Sequence, residues 1–106
     1  MSYRFMRIIV FFDLPTTDVG DLKEYRKFRK VLLNKGFIMM QESVYIRMAL
    51  NKTTADYILN YLKKATPQKG LVQVLTITEK QFQRMEFLTG DYKTDMIDND
   101  ERVIIL

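Results

Sequence analysis

From Arg7 to Pro15 the chain reads RIIVFFDLP, and this stretch limits the fold more than any other. Ile8, Ile9, Val10, Phe11 and Phe12 are apolar at both parities. A half-buried strand alternates between apolar and polar residues, whereas a run like this one fits a strand covered on both faces. The expected element is a central strand from about Tyr3 to Phe12. Pro15 ends it, because proline cannot donate to a sheet ladder. Asp13 closes the run and has two readings: a carboxylate tying down the turn, or a ligand for a hard cation.

The remaining elements follow from periodicity and punctuation. Leu22, Tyr25, Phe28 and Leu32 recur at helical spacing, predicting a helix over Val19 to Lys35. Asp18 is its cap, Asp21 completes a capping box, and Gly36 closes it. FIMMQESVYIRMAL, Phe37 to Leu50, reads as two short strands meeting at Gln41-Glu42-Ser43, although the Gly or Asn of a tight hairpin is missing and one bent strand is the alternative. A second helix carries Ala55, Ile58, Leu59 and Leu62 inward, with Thr53 and Asp56 as its capping box. Pro67 and Gly70 end it. Leu71 to Thr78 is a strand, followed by a short helix capped by Thr78 and Gln81, with Phe82 and Met85 facing in. The order β-α-β-β-α-β is that of an α+β, ferredoxin-like sandwich with two helices on one face of an antiparallel sheet. The other face then needs cover, so a homodimer packed through sheet faces is expected. RVIIL, Arg102 to Leu106, would add as an extra C-terminal strand to a sheet edge. Residues 1–90 form the domain, and 91–106 an acidic linker with that strand.

Composition removes whole classes of chemistry. The 106 residues include no cysteine and no histidine. Thiolate nucleophiles, Cys-based zinc sites and imidazole bases are therefore excluded. Any metal would be an oxygen-bound ion such as Mg²⁺ or Mn²⁺. No apolar run nears the roughly 18 residues of a membrane span, and the N-terminus lacks the pattern of a secretory signal, so a cytoplasmic protein with no membrane partner is expected. The net charge of +4 is uneven. Residues 1–90 hold 15 Lys/Arg against 8 Asp/Glu, and residues 91–106 hold 2 against 5, so a body of +7 carries a tail of −3. A basic body invites an anionic partner. Lys23, Arg26, Lys27 and Lys30 form one stripe on the outer flank of the first helix, either a solvated face or a set of phosphate contacts. KGFIMM (Lys35 to Met40) begins like an RNA-recognition signature but puts Ile and Met where a small residue and an aromatic belong.

Taken together in order and spacing, Asp13 at the end of the first strand, Arg26, Gly36 and QESVY (Gln41 to Tyr45) resemble the small CRISPR-associated endoribonuclease family, the smaller of the two universal spacer-acquisition proteins. TEKQFQRMEFLTGD is similar to members from single-protein-effector systems. The resemblance implies a homodimer that holds double-stranded DNA, or RNA, and bridges copies of the CRISPR integrase subunit. It also implies Mg²⁺-dependent nuclease chemistry with Asp13 of both subunits as the metal ligand and catalytic residue. Gln41, Ser43 and Tyr45 are its motif residues, and Ser43 and Arg26 fall where polar groups near the site are expected. Two functions of different class follow: a non-catalytic scaffold of the integration complex, or a metal-dependent phosphodiesterase in its own right.

Overall fold

The computed structural model describes residues 5–91. The segment RVIIL, expected to add as a strand, lies outside them. Strand β1 (Met6–Asp13) leads to helix α1 (Val19–Asn34), then strands β2 (Ile38–Gln41) and β3 (Val44–Ala49), helix α2 (Lys52–Ala65), strand β4 (Leu71–Thr78) and the short helix α3 (Glu79–Phe82). The sheet order is β2-β3-β1-β4 and every pairing is antiparallel, which is the ferredoxin-like arrangement. Among the described residues no helix is long and apolar enough to cross a membrane.

The two parities of β1 have different fates. Ile8, Val10 and Phe12 point into the main core with Phe28 and Leu32 of α1, Tyr45 and Ala49 of β3, and Ala55, Ile58 and Leu62 of α2. Phe12 stands edge-on to Phe28 at 5.4 Å between ring centroids, a favoured aromatic geometry. Full burial of each such side chain contributes about 1.5–3 kcal/mol. The other parity places Arg7, Ile9, Phe11 and Asp13 on the opposite face. There Ile9 forms a second, smaller cluster with Val44, Ile46 and Phe82 of α3. The Arg7 guanidinium lies 4.5 Å from the Phe82 ring centroid and donates to the Glu79 carboxylate, Nε to Oε1 at 2.5 Å and Nη2 to Oε2 at 3.1 Å. Cover by α3 thus reaches Arg7 and Ile9, while Phe11, Leu71 and Leu75 of this face are exposed.

Local chemistry explains the boundaries, with some corrections to the sequence reading. Asp18 caps α1, its Oδ1 accepting from the Asp21 amide at 2.8 Å. Helix α2 is capped by Asn51, whose Oδ1 accepts from the Thr54 amide at 2.9 Å, and not by Thr53. Asp56, expected in a capping box, instead accepts from Lys52 at 3.1 Å one turn away. Thr78 and Gln81 do form the capping box of α3. Phe82 is buried as expected, but Met85 beyond it is exposed. Strand β1 includes Asp13 instead of stopping at Phe12. QES is a hairpin between two strands: the polar tip Glu42-Ser43 needs no glycine because Ser43 itself takes φ +62°, a region that L-residues visit at some cost.

Candidate functional site

Asp13 is set by register. It is the last residue of β1 to pair with β4, opposite Leu71. Behind it the α2–β4 connection turns at Gly70, with φ +92°, and a Cβ there would come within 2.8 Å of the Asp13 carbonyl oxygen. Glycine at position 70 therefore lets the turn close over the end of the strand. From the β3 side, the Phe12 amide donates to the Ser43 carbonyl at 3.1 Å, which fixes the hairpin tip beside the same strand end. Asp13 and Ser43 border one shallow depression of about 190 Å³, together with Phe11, Val44, Leu71 and Gln73.

The Asp13 carboxylate is exposed and makes no hydrogen bond or ion pair with a described residue. The turn-tying reading thus loses its physical basis. The turn is held by other groups: Asp21 is buried and accepts from the Thr17 hydroxyl at 2.8 Å, with the Lys69 ammonium at 3.7 Å. Its pKa lies below the ordinary 3.8, mainly through that hydroxyl and against the penalty of burial, with help from Lys69 and the Thr17 and Asp18 amides. Among the described residues no three acidic groups are placed to hold one metal ion. The described residues of one chain therefore do not build a protein-only cage for a hard cation at Asp13.

The other expected site residues fall in three places. Lys23, Arg26, Lys27 and Lys30 are exposed along α1 and form no ion pair with a described residue. They ride on the helix layer, on the other side of the sheet from Asp13, so the stripe and the carboxylate do not share a face. Gln41 is exposed at the end of β2, paired with Val44. Tyr45 is not at the site. Its register opposite Val10 turns it into the helix-side core, where its hydroxyl accepts from Arg29 Nε at 2.8 Å. The buried Arg7–Glu79 pair was missed from sequence, because 72 positions separate the partners and no local pattern links them.

Residues 6–85 match the model of the family described as CRISPR associated protein Cas2. The chain is 48% identical over 101 residues to the CRISPR-associated endoribonuclease Cas2 of Treponema denticola, covering 95% of this chain and all of that one. It is 46% identical to the protein of the same description from Streptococcus mutans, covering 95% and 93%. A solved structure described as a crystal structure of cas2 superposes with a TM-score of 0.58 over 85% of this chain and 92% of the other; at 20% identity, this likeness concerns the fold.

Proposed function

The chain belongs to the CRISPR-associated Cas2 family, and on that footing we propose that it is a nucleic-acid-binding, homodimeric scaffold subunit of the CRISPR spacer-acquisition machinery. The observation that carries this reading is the row Lys23, Arg26, Lys27 and Lys30, exposed on one helix and unneutralised by any described carboxylate. Side chains at this spacing meet successive phosphates of a duplex, and two copies related by a two-fold axis double the track. The dimer is supported by the apolar residues left on the open sheet face, Phe11, Leu71 and Leu75. The partner that cuts and joins DNA in this reading is the CRISPR integrase subunit. Binding of duplex DNA is the test. Lys23→Glu with Lys27→Glu should weaken it and flatten the dependence of affinity on salt, since each lost phosphate contact lowers the slope by about one. An unchanged slope would reduce the stripe to a solvated face.

A second reading is favoured by the free Asp13 carboxylate. The relatives above carry the name endoribonuclease, and an exposed, unpartnered acid at a strand end suits a metal ligand. Two copies of Asp13 would hold Mg²⁺ or Mn²⁺, and the ion would supply Lewis acidity toward a phosphodiester. The rest of the chain would supply rigidity: β4 and the Ser43 hairpin fix the backbone on either side of the acid. Metal-titrated cleavage of single-stranded RNA and duplex DNA separates the readings. Asp13→Ala should abolish cutting and leave stability within about 0.5 kcal/mol of the parent, as for an exposed residue without partners. No cutting by the parent, or equal cutting by both proteins, leaves the scaffold alone.

A further inference from the structure

On the helix layer, well along the chain from the α1 stripe, two tyrosines of α2 face solvent at positions one turn apart. Tyr57 is 65% exposed and Tyr61 37%. Lys35 sits against them, its ammonium 3.9 Å from the Tyr61 ring centroid and 5.9 Å from that of Tyr57. That lysine is held from both sides of its own backbone. Its amide closes the last turn of α1 onto Val31 and Leu32, and its carbonyl accepts from Arg47 Nη1 at 2.7 Å. Lys64 extends the same face of α2, three residues beyond Tyr61 and seven beyond Tyr57. The neighbouring acid, Asp56, is taken up by Lys52. The face is therefore aromatic and cationic, with one lysine close over the Tyr61 ring and at the edge of contact with the Tyr57 ring, which stays mostly exposed.

We propose that Tyr57, Lys35 and Tyr61 form a stacking site for an unpaired nucleotide, with the base on the Tyr57 ring and the flanking phosphate on Lys35. This rests on the nucleic-acid reading above and extends it from duplex to single strand. Charge selects the occupant: an anionic polymer with π-faces answers both the lysines and the open ring, which is how sequence-tolerant single-strand sites are built. Tyr61 contributes by holding Lys35 through a cation–π contact, so the phosphate contact is in place before the strand arrives.

The test uses a fluorescent twelve-nucleotide oligothymidylate and a blunt twelve-base-pair duplex, with binding followed by anisotropy. Tyr57→Ala should weaken oligothymidylate binding about tenfold and leave the duplex unaffected, while Tyr57→Phe, which keeps the ring, should bind like the parent. Tyr57 is exposed, so both variants are expected to fold, and their melting curves check it. Equal loss in Phe and Ala, no loss in Ala, or duplex binding weakened to the same degree would overturn the stacking site. A parent that binds the duplex but not the single strand would overturn it too, leaving the tyrosines to a protein partner and the α1 stripe intact. A parent that binds neither would sink the nucleic-acid reading itself.

Discussion

Gly70 and Asp13 show how much of the candidate site depends on a residue that does no chemistry. Gly70 has φ +92°, and an added Cβ would press on the Asp13 carbonyl and the Leu14 side chain, both at 2.8 Å. Gly70→Ala therefore combines an unfavourable backbone conformation with a clash against main chain that cannot rotate away. The expected loss is on the order of 1–3 kcal/mol, read as a drop of several degrees in the melting temperature. Gly90, also at positive φ but with open space around it, is the control: alanine there should cost only the backbone strain. Asp13 itself was legible in the sequence, since a strand end and a following proline are local signals. Arg26 was expected near it and lies on α1 across the sheet, while the motif residue Tyr45 lies in the core, because the hairpin register that sends the Tyr45 side chain toward α1 cannot be read from QESVY alone.

At the level of elements, the order of strands and helices was legible because each carries its own period, and Asp18 and the Thr78–Gln81 box were legible because caps act within one turn. The α2 cap was not. NKTT offers Asn51, Thr53 and Thr54 in four positions, and only the backbone shows that Asn51 has the extended conformation of a cap. Two elements can be tested by their charges. Asp21 at the start of α1 has a pKa depressed in the folded state, so it adds stability above the unfolded pKa and loses it as pH falls through the lower folded value. Melting curves between pH 5 and pH 2 should show a shallower acid loss for Asp21→Asn than for the parent; parallel curves would mean that Thr17 and Lys69 contribute nothing. Helix α3 is pinned to the open face by Arg7–Glu79. Glu79→Gln leaves a buried guanidinium without its counter-charge, with an expected cost of about 3 kcal/mol in chemical denaturation. Replacing both residues by leucine should recover much of that loss.

For the molecule as a whole, among the described residues, one sheet face is sealed by α1 and α2 and the other is sealed only where α3 crosses it. Leu75, opposite Ile9 in the β1–β4 register, is 49% exposed on that second face. A glutamate there costs little in the isolated fold and much in a face-to-face dimer. Light scattering at micromolar concentration should give a dimer mass for the parent and a monomer mass for Leu75→Glu; a monomeric parent would remove the sheet-face interface. The same two-sided strand bears on folding accuracy. In most half-buried strands a slip of one residue is forbidden by the pattern itself, because it turns polar side chains inward. Ile8 to Phe12 give no such warning, since either set would satisfy a core. What punishes the slip is the pair of polar bookends: shifted by one, Arg7 would enter the helix-side core without Glu79, and Asp13 would follow it from the far end. The two charges thus add a cost to the slipped register that the apolar run itself does not impose, and neutralising both should lower that cost.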